Sequence, residues 1–447
     1  MPRSYPLQHL ATEPNRKRIT PCKVQIGCML ALCLLAAICP FARAASLRCL
    51  TCHSARGLSK ITKGKRVSLY VDPHDLESSV HAARDCLECH VDFRGQPLPH
   101  KQTADAVQCV WCHHQGNNRG APDITNIEMY ADSVHGSALR NGDTDAPDCA
   151  ACHGTHGIRR ASDPKSTIYR ARIPDTCGRC HFSPAFARRH NLASVRRYKD
   201  SVHARAVQTQ GLMKAAVCTD CHGVHDITAP NQAESSVNKP NVPATCGKCH
   251  QRIFAVYRES IHGKAVADGV KDAPVCTNCH GEHTIQRPST PESTVYPTHV
   301  VATCSKCHED VKLQRRYRLP AGRLSSYIGS YHGVANRYGD VTVANCASCH
   351  GAHSVLPSTD PRSPVNKRNL PRTCGKCHPG AGENFAKGSI HVLPSLRKDV
   401  VVFWVQVLYT ALVAGLIGSF CGYIALDLFA RWRGRLGRLP AGASDAK

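Results

Sequence analysis

Two apolar runs frame a chain that is otherwise polar and frequently interrupted. The first, "IGCMLALCLLAAIC", follows Arg16, Lys17, Arg18 and Lys23 and is followed by "ARA" ending at Ala44. It is shorter than the roughly 20 residues a bilayer-spanning helix needs. A basic flank, a short apolar stretch and small residues before Ala45 are expected of a cleaved secretory signal over residues 1–44 rather than a retained helix. The second run, residues 400–426, carries no charge. At about 1.5 Å per residue it reaches roughly 40 Å, enough to cross a hydrocarbon core of about 30 Å with tilt. Trp404 and Trp432 sit near its ends, and Arg431, Arg433, Arg435 and Arg438 follow it. By the positive-inside rule, this predicts a single-pass inner-membrane protein with residues 427–447 as a basic cytoplasmic tail and the region between the two runs in the periplasm.

Between the runs neither the helical nor the strand period is sustained. Helix-like patterns are confined to stretches such as "QRIFAVYRESIHGKAVADG", while Pro and Gly punctuate the connections. The expected fold is therefore mostly irregular with short α-helices, plus one C-terminal transmembrane helix. Its apolar content is too sparse for a conventional core, so something bulky and apolar must complete it.

Self-alignment exposes repeats. Cys149, Cys218, Cys276 and Cys346 open C-x-x-C-H-G-x-H strings spaced 69, 58 and 70 residues apart. Cys177, Cys246, Cys304 and Cys374 open C-x-x-C-H strings, each preceded by threonine, with spacings of 69, 58 and 70. A third series, S-x-H at His135, His203, His262, His332 and His391, keeps step with them. Four two-motif repeats thus fill the region 130–395, and a looser three-motif region, residues 45–129, precedes them with a related "SSVH" at His81.

The chemistry lies in those strings. The chain has 27 cysteines and 27 histidines in 447 residues, and eleven C-x-x-C-H copies take up most of the cysteines. They comprise Cys49, Cys52 and His53; Cys86, Cys89 and His90; Cys109, Cys112 and His113; Cys149, Cys152 and His153; Cys177, Cys180 and His181; Cys218, Cys221 and His222; Cys246, Cys249 and His250; Cys276, Cys279 and His280; Cys304, Cys307 and His308; Cys346, Cys349 and His350; and Cys374, Cys377 and His378. Two thiols at this spacing add to the two vinyl groups of a haem, and the next histidine then binds the iron from one face. Zinc would use two cysteine pairs per site and has no need of a histidine after every second cysteine. A disulfide across two residues closes too small a loop to add much stability. Eleven covalently attached haems c are expected.

Sixteen histidines lie outside the motifs, and His9 belongs to the signal segment. Each repeat supplies two for its two haems: His135, His203, His262 and His332 from S-x-H, and His156, His225, His283 and His353 from H-G-x-H. His225 and its counterparts are too close in sequence to swing over their own haem and are expected to serve a neighbour. His81, His391 and one of His74, His100 or His114, with His100 favoured, complete eleven distal ligands. His190 and His299 do not recur and are expected to be surface or loop residues.

The net charge of +24 would ordinarily suggest nucleic acid. Losing six basic and one acidic residue with 1–44 leaves +19, and two propionates on each of eleven haems bring up to 22 negative charges. Internal matching makes nucleic acid an unneeded partner.

The strings "CLTCHSARGL", "SSVHAARDCLECHVDF" and "PHKQTADAVQCVWCH", with the tandem C-x-x-C-H-G-x-H and T-C-x-x-C-H, resemble the multihaem c-type cytochromes of the cytochrome c3-like, doubled C-x-x-C-H class over most of residues 48–395. The resemblance implies stacked bis-histidine haems carrying electrons outside the inner membrane. Some members continue into a b-type cytochrome domain that handles quinol, whereas here no histidine follows His391. A separate membrane quinol-oxidising or b-type cytochrome subunit is therefore the expected donor or acceptor, opposite periplasmic redox proteins. An electron carrier without substrate chemistry of its own is expected. The alternative, a reductase or oxidase of small nitrogen or sulfur compounds, needs an open iron, and fifteen candidate histidines meet eleven demands without one.

Overall fold

The computed structural model describes residues 48–436 except 63, 101–103, 122–124, 191, 193, 386, 389 and 394–398. The expected signal segment, with His9 and four cysteines, and the end of the tail with Arg438 lie outside the described residues. The described residues form two compact units. One runs up to Ala131 and includes Ala138–Tyr169; the other holds Asp132–Ser137 and everything from Arg170 onward.

Helices are short. Before the last one, none among the described residues exceeds the nine residues of Ile173–His181, Gln251–Glu259 and Val300–His308. The sequence points to helix only around S-x-H, yet the cysteine motifs are helical as well. Cys149–His153, Cys218–His222, Cys276–His280 and Cys346–His350 each form a turn and a half. No apolar periodicity can register over five residues, which is why pattern reading misses them. A further surprise is an antiparallel hairpin in the first unit, Ser59–Thr62 with Lys65–Ser68, closed at a turn where Gly64 adopts φ +74°. That is the left-handed region a two-residue hairpin requires.

The apolar core is thin. Ten apolar residues are buried among those described, several of them alanines, and the most fully enclosed large side chains are Val207, Val217 and Pro174. Serines rival them: Ser133, Ser166, Ser201, Ser235, Ser260 and Ser363 are essentially inaccessible. Buried hydroxyls need partners, and these find them at matching positions. Ser166, Ser235 and Ser363 donate to the carbonyls of Arg159, Thr228 and Leu356 at 3.2, 3.3 and 3.2 Å. Backbone bonds join successive repeats. The N–H after each S-x-H serine reaches the carbonyl two residues past the H-G-x-H of the next repeat: Val134 to Ile227, Val202 to Ile285 and Ile261 to Val355, each 2.8 Å. In the first unit Val80 does the same with Ile158.

The last helix, Val400–Leu436, is unlike the rest. Its stretch Val400–Gly434 has a mean hydropathy of 2.3 in its most apolar window, none of it is buried, and it is long and apolar enough to cross a membrane. It continues beyond the uncharged run, with Asp427 and Arg431 paired at 2.8 Å one turn apart.

Candidate haem-binding sites

Each cysteine pair is presented by a locally self-sufficient turn. The residue before the second cysteine often closes it: Asp220 accepts from the Val217 N–H at 2.7 Å and Asn278 from Val275 at 2.8 Å. Where that position is Ala151, Asp148 caps instead, accepting from Ala151 at 2.8 Å. The threonine ahead of the second motif of a repeat also has a task. Thr245, Thr303 and Thr373 donate to the carbonyls of Ser236, Thr294 and Pro364 at 2.6, 2.6 and 2.7 Å, tying each motif to the connection that precedes it.

The glycine of H-G-x-H ends the motif helix in a conformation other residues avoid. Gly154, Gly223, Gly281 and Gly351 have φ of 78 to 86° with ψ near 180°, a region essentially restricted to glycine. A Cβ on Gly223 would also meet the Asp226 carboxylate. The reversal sends the last histidine of the string away from its own motif.

Those histidines meet others in pairs. In the first unit His53 faces His100 with ring centres 6.1 Å apart, His90 faces His156 at 6.2 Å and His113 faces His81 at 6.0 Å. In the second, His181 faces His135 at 6.1 Å, His222 faces His283 at 6.0 Å and His250 faces His203 at 6.3 Å. His280 with His353, His308 with His262, His350 with His391 and His378 with His332 stand at 5.9, 6.3, 6.3 and 6.0 Å. Every pair joins one motif histidine to one from outside the motifs. The two remaining expected ligands, His153 and His225, belong to different units.

These separations fit a haem iron. With a metal–imidazole bond of about 2.0 Å on each side and about 1.1 Å from nitrogen to ring centre, trans ligands stand about 6.2 Å apart. Among the described residues no group of three or more His, Cys, Asp or Glu gathers to hold a bare metal ion. A porphyrin supplies four of iron's six ligands, so two histidines suffice. Buried Nδ1 atoms of His90, His113 and His283 find no hydrogen-bond partner, while His53 Nδ1 lies 2.8 Å from the Leu69 carbonyl, an arrangement that orients a ligand ring. Burial pushes His181 and His262 down to about 4 and lowers His135, His203, His222, His280, His283, His350 and His353. Neutral imidazole is the metal-binding form.

The cysteine pairs stand beside one another in chain order. Thiols of Cys177 and Cys218, Cys246 and Cys276, and Cys304 and Cys346 lie close enough across successive motifs to perturb one another's ionisation, as do Cys49 with Cys86 and Cys109 with Cys149 in the first unit. Within repeats, Cys221 interacts electrostatically with Cys246 and Cys249, Cys279 with Cys307, and Cys349 with Cys374 and Cys377. All described cysteines are free of disulfides.

The other histidines lie elsewhere. His74 and His114 are exposed, the latter 2.9 Å from the Gln115 carbonyl. His299 Nδ1 is 2.9 Å from the Ser293 carbonyl, and His190 packs on Phe186 with ring centres 4.3 Å apart. Sequence reading also passes over a tyrosine five residues before each repeat's S-x-H histidine: Tyr130, Tyr198, Tyr257 and Tyr327. Its signal was the same fourfold recurrence that revealed the histidines.

Paired cysteines with adjoining histidines, and a second histidine brought opposite, support a multihaem c-type cytochrome class. Comparison with known families agrees: residues 211–254, which hold the motifs opening at Cys218 and Cys246, match the doubled CXXCH motif family. Such motifs imply covalently bound haem c. No curated protein and no solved structure gives a significant match to the chain.

Proposed function

We propose that the protein is a membrane-anchored electron relay with eleven haems c, each iron closed by two histidines. The observation that carries this reading is the set of ten facing histidine pairs, whose ring centres stand 5.9 to 6.3 Å apart. Haem c would supply reversible one-electron iron chemistry. The chain's part would be to hold each haem by its cysteine pair, close the iron with the facing histidines so that substrates are kept off it, and set successive motifs side by side. The adjacency of motifs within each unit supports passage of electrons along the sequence order. We place residues 45–395 in the periplasm, the helix beginning at Val400 in the inner membrane and the basic tail in the cytoplasm. The partners are a membrane quinol-oxidising or b-type cytochrome subunit and periplasmic redox proteins.

The test is a titration of the purified full-length protein with carbon monoxide after reduction. Bis-histidine closure predicts no rapid binding at any haem. Rapid stoichiometric binding to one haem would identify an open iron and replace the relay with a substrate-reducing or substrate-oxidising enzyme.

A further inference from the structure

The ten histidine pairs fall into two geometric groups. Where the partner is one of five S-x-H histidines, His81, His135, His203, His262 or His332, the two rings are inclined by 58, 55, 48, 61 and 50°. The other five pairs are flatter: 11° for His53 with His100, 30° for His90 with His156, 4° for His222 with His283, 11° for His280 with His353 and 35° for His350 with His391, the one S-x-H histidine outside the steep group and one whose sequence has alanine where the four repeats have the tyrosine. From His181 onward the two groups alternate motif by motif.

The S-x-H element has a built reason for its steeper set. In the repeat containing His262, Ser260 Oγ accepts from the Gly263 N–H at 3.0 Å, capping the helix on which His262 is the second residue. The same serine is held from behind, its N–H and hydroxyl both donating to the Tyr257 carbonyl at 3.0 and 2.6 Å. Tyr257 is fixed in turn, its hydroxyl donating at 2.8 Å to the carbonyl of Pro274, two residues before Cys276. Ser330 and Tyr327 repeat the arrangement: Ser330 Oγ donates to the Tyr327 carbonyl at 2.6 Å, and the Tyr327 hydroxyl donates to Ala344 at 3.0 Å. Tyr198 likewise reaches Ala216 at 2.8 Å. At His81 a leucine replaces the tyrosine, but the Ser79 N–H still reaches the Leu76 carbonyl at 3.1 Å. The serine turn thus recurs at Ser79, Ser201, Ser260 and Ser330, and a tyrosine, where present, anchors it to the peptide two residues before the neighbouring cysteine.

We propose that the serine turn and its tyrosine are positioning residues that hold the S-x-H imidazole steeply inclined to its partner, so that two electronically distinct kinds of haem alternate along the repeats. The inference rests on the bis-histidine reading above. Its chemical basis is general. Parallel imidazole planes split the two iron d orbitals that π-bond with the ligands, whereas inclined planes leave them closer in energy, and the low-spin ferric signal becomes more anisotropic. Ligand arrangement is one of the levers by which a protein tunes a haem.

Low-temperature electron paramagnetic resonance of the oxidised full-length protein tests it. Wild type should show two groups of low-spin signals, a strongly anisotropic one and a more rhombic one. Tyr257→Phe and Ser260→Ala should each remove about one-fifth of the anisotropic intensity, one of five such sites, at unchanged haem mass. A single group of low-spin signals in wild type overturns the inference. So do unchanged signals in both variants, even if their melting temperature falls, because that would leave the two residues a merely structural role. Should Tyr257→Phe fail to assemble, the wild-type spectrum and Ser260→Ala decide. A wild-type spectrum dominated by high-spin iron would instead strike at the bis-histidine reading itself.

Discussion

At the scale of single residues, the expected ligands and their bystanders separate by environment. His283 faces His222 with ring planes within 4° of parallel, whereas His299 is engaged with the Ser293 carbonyl. His283→Ala should leave the haem count unchanged, since attachment depends on the cysteines, while one iron gains a high-spin signal and binds carbon monoxide. His299→Ala should do neither. Visible spectra of the two variants, oxidised for the spin state and reduced with and without the gas for carbon monoxide binding, check this, and a matching response from both would sink the assignment. Gly223 makes a second prediction. Its φ of 84° and ψ of −173° lie where a side chain costs about 1–3 kcal/mol. Gly223→Ala should lower the melting temperature and weaken ligation by His225, whereas Gly388→Ala, with nothing within 4 Å of the added carbon, should change little. A thermal melt followed in the haem absorption band compares them.

At the scale of elements, what the sequence disclosed depended on whether the signal was chemical or energetic. The C-x-x-C-H, H-G-x-H and S-x-H strings are legible because each residue type has one dominant chemical use and the strings recur. The five-residue motif helices were invisible, because they are set by capping bonds such as Asp220 to Val217 and carry no apolar period. The hairpin at Ser59–Ser68 was missed for a similar reason: its faces are mostly exposed, so no burial alternation marks it. The tyrosines before S-x-H were overlooked because tyrosine has no single meaning in a sequence, and its hydroxyl partner lies seventeen residues further on. The C-terminal helix is the opposite case, a single long apolar run that announces itself. Ending the chain before Val400 should release the haem-bearing part in soluble form. Ultracentrifugation of membranes from cells making the truncated chain checks this, and a truncated protein that stays in the pellet and resists alkaline extraction would remove that helix as the sole anchor.

At the scale of the whole molecule, the thin core is the most telling physical fact. Among the described residues, ten buried apolar side chains offset only a small part of the conformational entropy of ordering them. The cofactors must therefore contribute the missing apolar interior. Blocking haem attachment during synthesis should accordingly yield a chain without cooperative unfolding, read by calorimetry against the loaded protein. The proposed placement makes a further prediction: protease added to the periplasmic face of spheroplasts should digest the haem-bearing region and spare an epitope placed at the C-terminus. Digestion of that epitope instead would reverse the orientation.

The central claim, that this chain carries electrons through eleven haems each closed by two histidines, meets its most direct test in one spectrum. Magnetic circular dichroism of the oxidised full-length protein, recorded from the visible into the near infrared, reports the spin state and axial ligands of every haem together. The account predicts only low-spin, bis-histidine charge-transfer bands, with an integrated intensity equal to the total haem. A high-spin band amounting to one haem or more would contradict it.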